Sequence, residues 1–122
     1  MSRIEMTCGF AEISWPGKRR ESIESHGTRV LKAGLVINVR EIRCPDKPTE
    51  IVGDVIRETN VREHAYHVNL WLNEDRQITS AICQCAAGVI GECKHAAALV
   101  HFVNEERMES KTDEKSKFVA LL

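Results

Sequence analysis

Alternating apolar and polar residues predict two strands in the first half of the chain. Residues 35–43 are rich in β-branched side chains and alternate in polarity, which favours a strand. The Cys-Pro-Asp-Lys-Pro segment at 44–48 is predicted to end this strand, because proline has no N–H to donate to a sheet ladder. A second strand is predicted over 51–57, with Gly53 as the candidate position for a bulge.

The same alternation predicts a hairpin in the second half. Apolar and polar residues alternate over 65–72 and again over 77–83. The Asn-Glu-Asp-Arg segment at 73–76 between them has the composition of a compact turn. The second strand of this hairpin therefore ends at Cys83.

Helical patterns flank the strands. Residues 20–33 carry a rough apolar stripe that Gly27 interrupts, so one helix or two short pieces are predicted. Residues 96–103 begin with three alanines and are almost entirely apolar, which predicts a helix buried on most sides. Polar residues 104–107 are predicted to mark where that helix meets water. The fold class is therefore α+β, an antiparallel sheet of about four strands with the second helix packed against it.

Length, charge and cysteine content limit the class of protein. The 122 residues fit a single domain, 1–122, with a charged tail over 108–122. The chain has 17 basic and 18 acidic residues, which is unlike the basic footprint of an autonomous DNA-binding domain. No apolar run approaches the roughly 18 residues that span a membrane, and the amino end lacks a secretory signal. The odd number of cysteines, five, favours a reduced compartment, the nucleus or the cytoplasm.

Candidate chemistry is concentrated in residues 83–95. Three of the five cysteines and one of the five histidines lie there, and they predict one metal site. The predicted ligands are Cys83, Cys85, Cys93 and His95. Three sulfurs and one imidazole are a soft, four-ligand set that suits Zn²⁺. Four protein ligands leave no open position for water or substrate, so the site is predicted to be structural.

The ligand spacing predicts where each ligand sits. In a regular strand, Cys83 and Cys85 would stand roughly 6.5 Å apart on one face, too far for two sulfurs about 2.3 Å from one metal. Cys83 should therefore end a strand, with the backbone turning at once. Residues Cys93 and His95 would point about 200° apart on a helix, so Cys93 should precede the helix and His95 should lie in its first turn. Two glycines in the 86–92 loop would let it wrap around the ion.

These residues resemble the SWIM-type zinc finger, whose pattern is Cys-x-Cys, a variable gap and Cys-x-His. The likeness covers residues 65–105 and includes Ala-Gly in the loop and Lys-His-Ala after the third cysteine. It implies a hairpin bearing the first ligand pair and a helix bearing the second, within a finger at 65–107. The Lys-Thr-Asp at 111–113 is similar to an element that follows the finger in animal transposon- or virus-associated SWIM proteins. Some of those proteins carry a nuclease domain of the phage-recombinase type downstream.

Other roles for the cysteines and histidines stay open. The cluster could be buried and inert, or Cys83 and Cys85 could form a reactive dithiol, which leaves Cys93 and His95 without a role. The cysteines outside the cluster, at positions 8 and 44, are predicted to be small, partly buried residues. His64 and His67 are predicted to face solvent or form hydrogen bonds, and His101 to be a core or rim residue and not a fifth ligand.

Four basic residues are candidate contacts for a partner. Lys18, Arg19 and Arg20 form a short cluster that could contact phosphate, although a solvated face is the more common explanation for such a cluster. Lys94, between two ligands, is predicted to point outward, to a cysteine sulfur or to a nucleic-acid backbone.

Two functional classes follow from these patterns. The first is a zinc-stabilised interaction module that contacts another protein or DNA, in a DNA-processing or transposon-related protein, as the resemblance implies. The second is an accessory amino-terminal fragment of a nuclease whose catalytic domain is absent from this chain. No catalytic arrangement is recognisable, so the chain is predicted not to be an enzyme, with no small-molecule substrate and no membrane partner.

Overall fold

A computed structural model describes residues 3–17, 20–57, 64–85 and 93–105, and it has an α+β fold. Five antiparallel strands follow one another in chain order across a single sheet. The strands are β1 (Ile4–Met6), β2 (Val36–Cys44), β3 (Lys47–Val55), β4 (Tyr66–Leu72) and β5 (Ile78–Cys83). The helices are α1 (Glu21–Lys32) and α2, which covers residues 94–105. No helix in these described ranges is long and apolar enough to cross a membrane.

The prediction of about four strands is wrong by one. The additional strand, β1, pairs with β2 from Ile4 opposite Arg43 to Met6 opposite Glu41. It has only three residues, too few to display a period of two, and Ile4 is half exposed at the edge of the sheet. Its place depends on the long β2 strand beside it and not on its own sequence.

The β2–β3 connection is tighter than predicted. Pro45 does follow the last residue of β2, but the turn occupies only residues 45–46. Lys47 and Pro48, which are predicted to lie in the terminating segment, already belong to β3. Pro48 is accommodated because it lies where the register between the two strands is irregular, so no ladder N–H is required there. The bulge predicted near Gly53 lies instead on the neighbouring strand, where the register shifts between Ile37 and Arg40.

Helix α2 packs on one face of the sheet. Residues 96–100 and Val103 of this helix are buried, as the apolar run predicts. At the contact with β3, a Cβ added to Gly53 would lie 2.9 Å from a methyl group of Leu99. Glycine at this position therefore lets the helix approach the sheet closely. The other apolar side chains of this face complete the core, among them Phe10, Ile13, Ile51, Val68, Leu70 and Leu72.

The carboxyl end of α2 is not simply a point where the helix meets water. Asn104 is half-buried, and its amide pairs with the backbone of Ile13. Its Oδ1 accepts a hydrogen bond from the Ile13 N–H at 2.9 Å, and its Nδ2 donates to the Ile13 carbonyl at 3.0 Å. This double hydrogen bond joins the amino-terminal segment to the last turns of the helix.

Helix α1 is continuous, so the glycine in its middle does not break it. Gly27 is buried and lies four residues after Ile23, on the stripe that faces α2. A Cβ at Gly27 would lie 2.7 Å from the Cβ of Ala97 and 3.0 Å from the backbone nitrogen of Ala98. Small residues on both helices therefore allow the two backbones to cross in close contact.

Replacing Gly27 by alanine is expected to destabilise the domain by about 1–3 kcal/mol, because the helices must move apart to admit the methyl group. The better helix propensity of alanine offsets no more than about 1 kcal/mol of this. Urea unfolding measures the change. Ser25→Ala, on an exposed position of the same helix, is the control and should be neutral or slightly stabilising. Equal stability of the two variants would contradict the close crossing.

A buried carboxylate ties the sheet to two loops. Glu41, fully buried on β2, accepts hydrogen bonds from both terminal nitrogens of Arg76, at 2.8 and 3.0 Å, and one from Nε of Arg43 at 2.6 Å. The Arg76 guanidinium also donates to the carbonyls of Ala11 and Glu12. Burial raises the pKa of Glu41, but the hydrogen bonds and charges of the two arginines outweigh it, so its pKa is lowered.

Candidate metal centre

The four predicted ligands lie at the junction of the β4–β5 hairpin and α2. Cys83 is the last residue of β5, and the backbone bends at residues 84–85. Cys93 directly precedes α2, and His95 is the second residue of that helix. These are the positions that the ligand spacing predicts. The strand end and the helix start therefore deliver two ligands each.

The donor atoms of the four residues converge on one point. The three sulfurs and one imidazole nitrogen all lie within 4.8 Å of one another. The Nδ1 atom of His95 faces the cluster, 3.7 Å from the sulfur of Cys83. A tetrahedron with metal–sulfur bonds of about 2.3 Å has edges of about 3.8 Å, so small side-chain shifts suffice for coordination. The arrangement can hold a metal ion.

The start of α2 favours a negative sulfur at Cys93. This residue occupies the N-cap position, and its sulfur accepts a hydrogen bond from the backbone N–H of Ala96 at 3.4 Å. Side chains that accept hydrogen bonds are preferred at this position because the first N–H groups of a helix have no partner inside it. The helix dipole adds to the effect, since its amino end carries partial positive charge.

The pKa values of the two buried cysteines move in opposite directions. A hydrogen bond from Cys83 lowers the pKa of Cys93 to about 4, with help from His95 and the Ala96 N–H and against the effect of burial. The same hydrogen bond and burial raise the pKa of Cys83. One thiol thus donates its proton toward the neighbouring thiolate. A bound metal ion would take the place of that proton, because the ligand form of cysteine is the thiolate.

Neighbouring residues hold the ligand-bearing segments in place. Gln84, between the first two cysteines, donates its N–H to the carbonyl of His67, while its Oε1 accepts the N–H of His67 at 2.9 Å. The ring of Tyr66 packs against the imidazole of His95, with 4.9 Å between their centroids. The guanidinium of Arg57 lies 4.8 Å from the centre of the Tyr66 ring. These contacts orient the bend and the imidazole before any ion binds.

Two of the four candidate contact residues, Arg20 and Lys94, lie within the part of the chain that the structure describes. Lys18 and Arg19 lie outside the described residues. Arg20 is exposed just before α1, and Lys94 is half-buried where α2 begins. That the Lys94 side chain points outward stays a prediction. The 86–92 loop and the 108–122 tail also lie outside the described residues.

A polar cluster on the opposite face of the sheet was not anticipated from the sequence. Asp54 of β3 accepts hydrogen bonds from His67 at 2.9 Å and from Asn38 at 3.0 Å. These bonds and the charge of the imidazole outweigh burial, so the pKa of Asp54 is lowered. The prediction that His67 forms hydrogen bonds on a strand is confirmed. The strand alternation is the signal that could have paired it with Asp54, which lies directly opposite.

Two cysteines outside the cluster differ in exposure. Cys44 is partly buried, as predicted, whereas Cys8 is exposed. Neither joins the metal-ligand group found among the described residues. His101 lies on α2 and contacts Glu24 of α1, so it is a rim residue and not a fifth ligand, as predicted.

Comparison with protein families, curated proteins and solved structures gave no match. The likeness to the SWIM finger therefore depends on its motif alone. Function has to be argued from the Cys₃His cluster and from the surfaces around it.

Proposed function

We propose that this chain is a zinc-stabilised interaction module that contacts another macromolecule, a protein in preference to DNA. The observation that carries the proposal is the convergence of three sulfurs and one imidazole nitrogen within 4.8 Å, at the junction of hairpin and helix. Zn²⁺ is the proposed ion because this donor set is soft and because zinc accepts a tetrahedral site of thiolates and imidazole.

The proposed role of the ion is structural. Its four candidate ligands are all side chains of this chain, so no coordination position is left for water or substrate. The ligands also join two different elements, since Cys83 ends the edge strand and Cys93 directly precedes the buried helix. An ion at this point would tie sheet and helix together, which is the role of zinc in small domains with modest cores.

The balance of charges supports a protein partner. With 17 basic and 18 acidic residues, the chain lacks the net positive charge that attracts the phosphate backbone. Three thiolates and one Zn²⁺ sum to a negative centre, so the proposed metal site adds no cationic patch. The motif likeness supports a place in a DNA-processing or transposon-related protein.

The identity of the ion is tested by native mass spectrometry of the purified chain, with elemental analysis of the same sample. We expect one zinc per chain, lost on denaturation. Cys93→Ser should reduce the zinc content to background, whereas Cys8→Ser should keep it. A folded wild-type chain without stoichiometric metal would overturn the proposal.

The class of partner is tested by binding to a 20-base-pair duplex across a salt series. Contacts to several phosphates would make the affinity fall steeply, with a slope of about −0.9 per phosphate in a log–log plot. We expect negligible binding to the duplex at physiological salt. We also expect the chain to capture a protein from native extract, and this capture should persist after the extract is treated with nuclease. Tight, salt-dependent binding to the duplex would instead assign DNA as the partner.

A further inference from the structure

An open cleft of about 430 Å³ lies between the amino-terminal segment and the two helices. Its main lining residues are Glu12, Trp15, Glu24, Val100, His101 and Asn104. The volume falls in the range of ligand-binding clefts, about 300–1,000 Å³. The cleft lies apart from the Cys₃His cluster, none of whose four residues lines it.

The walls of the cleft are fixed by hydrogen bonds. One wall is the segment at 12–17, which Asn104 holds through both backbone groups of Ile13. The next residue, Ser14, accepts a hydrogen bond from the N–H of Ile78 at 2.8 Å and donates to the carbonyl of Arg76 at 3.1 Å. The other walls are helical. A cleft between such elements is preformed and does not need a ligand to shape it.

A carboxylate and an imidazole on the two helices have unfilled hydrogen-bonding capacity. Glu24 Oε2 lies 3.1 Å from His101 Nε2, but the two atoms are poorly aligned, and Nε2 makes no hydrogen bond. The second carboxylate oxygen, Oε1, is shielded from water and has no hydrogen-bond partner. Unsatisfied carboxylate oxygens are costly. Because the last torsion of a glutamate side chain is soft, a small rotation would turn this oxygen toward a donor in the cleft.

The charge of the cleft selects the kind of donor. Glu12 and Glu24 both line it, and the described lining residues include no lysine or arginine; Lys18 and Arg19, which follow the lining residue Gly17, lie outside the described residues. Two carboxylates repel phosphate and attract a cation. The indole of Trp15 and the side chain of Val100 add apolar surface, which suits the aliphatic stem of a long basic side chain.

We infer that this cleft binds an arginine or lysine side chain of a partner protein, with Glu24 as the principal acceptor. The inference rests on the proposed function only for the source of that side chain. A guanidinium or ammonium group would donate to Glu24, and the stem would lie against Trp15 and Val100. The cleft is open to solvent, so the peptide backbone of the partner can remain outside it.

The test uses the full, zinc-loaded chain labelled with ¹⁵N and the peptide acetyl-Gly-Arg-Gly-amide. We expect a saturable shift of the Trp15 indole signal, with a dissociation constant on the order of 1 mM. The only other tryptophan, Trp71, lies on β4 between the core residues Leu70 and Leu72 and so faces the opposite side of the sheet. Its indole signal should not move.

Matched peptides and variants decide between charge and shape. The lysine analogue should also bind, whereas the citrulline analogue, which has the shape of arginine without its charge, should bind at least about tenfold more weakly. Glu24→Gln should weaken arginine binding by about tenfold, and Glu21→Gln, on an exposed position of the same helix, should leave it unchanged. Circular dichroism checks that each variant is folded.

Three results would overturn the inference: no saturable shift at Trp15, equal binding of the citrulline peptide, or unchanged binding by Glu24→Gln. A separate measurement distinguishes failure of this inference from failure of the proposed function. If a partner protein is captured equally well by the wild type and by Glu24→Gln, the cleft is not its anchor, while the module still functions through another surface.

Discussion

Removal of the proposed zinc ion is expected to abolish the cooperative unfolding transition of the domain. Structural zinc in small fingers contributes about 10–16 kcal/mol of apparent binding energy at pH 7. The whole stability of a domain is only about 5–15 kcal/mol, so the metal-free chain should not hold its fold. The effect should be largest in α2, because the proposed ligands Cys93 and His95 lie at its start and its apolar face forms much of the core.

Cys93→Ser is expected to abolish the cooperative unfolding transition in the same way, without a chelator. Serine removes one thiolate and with it the sulfur that accepts the Ala96 N–H at the helix start. Thermal unfolding followed by far-ultraviolet circular dichroism measures the effect, and amide hydrogen exchange locates it in residues 93–105. The matched control is Cys44→Ser, a partly buried thiol outside the cluster, with an expected change of less than about 1.5 kcal/mol.

The outcome against this prediction is specific. If Cys93→Ser keeps the melting curve of the wild type, and a chelator does not change that curve, the cluster is not a structural metal site. Loss of stability in Cys44→Ser as large as in Cys93→Ser would instead indicate a general sensitivity of the core to polar substitution.

The local parts of this site could be predicted from the sequence. Its ligands fall within thirteen residues and follow a hairpin whose strands alternate clearly, so geometry within a few residues constrains them. Two ligands separated by a single residue cannot share an ion from within a regular strand or helix, so each pair has to lie at a strand end or a helix start. These constraints do not depend on the rest of the fold, and in the structure Cys83 ends a strand and Cys93 directly precedes a helix.

The long-range contacts could not be predicted in the same way. Glu41 and Arg76 meet across 35 positions. The alternation over residues 35–43 groups Glu41 with Ile37 and Val39, but it does not indicate which side chain pairs with the carboxylate. Helix propensity alone predicts that Gly27 weakens α1. In the structure its missing side chain leaves the space in which Ala97 of α2 packs. The Glu41–Arg76 pair and the Gly27–Ala97 contact join elements that are far apart in the sequence. They can be identified only when the packing of the whole fold is known. One local signal existed, because Gly27 falls on the apolar stripe of α1.

Arg76→Ala is expected to be the most destabilising substitution away from the metal site. It leaves Glu41 buried with Arg43 as its remaining partner, and it frees the carbonyls of Ala11 and Glu12. Removing one member of a buried ion pair costs about 3–5 kcal/mol, because the other charge stays desolvated. Chemical denaturation of the zinc-loaded chain at pH 7 measures this. The exposed pair of Arg3 and Glu5, 3.4 Å apart, supplies the control Arg3→Ala, which should cost no more than about 1 kcal/mol.

The pH dependence of stability separates the effect of the charge of Glu41 from the effect of its packing. Because the pKa of Glu41 is lowered in the folded state, its carboxylate contributes stability that is fully present above the unfolded pKa, about 4.3. This contribution is lost as the pH falls through the folded pKa. Glu41→Gln should therefore be less stable than the wild type at pH 7, and the difference between the two should shrink below about pH 4.3.

Acid also releases the proposed ion, so the two proteins, which have the same candidate ligands, are compared only at pH values where both still unfold cooperatively. A constant difference between wild type and Glu41→Gln over a range that extends below about pH 4.3 would mean that the carboxylate contributes through packing alone. In that case Arg76→Ala should cost much less than about 3 kcal/mol, because no buried negative charge would be left without its main partner. If Arg76→Ala costs about 3 kcal/mol or more and the effect of Glu41→Gln shrinks at low pH, the charge of this buried pair stabilises the fold. Because Arg76 also contacts Ala11 and Glu12, the pair would then help to hold the amino-terminal segment, one wall of the cleft, against the sheet.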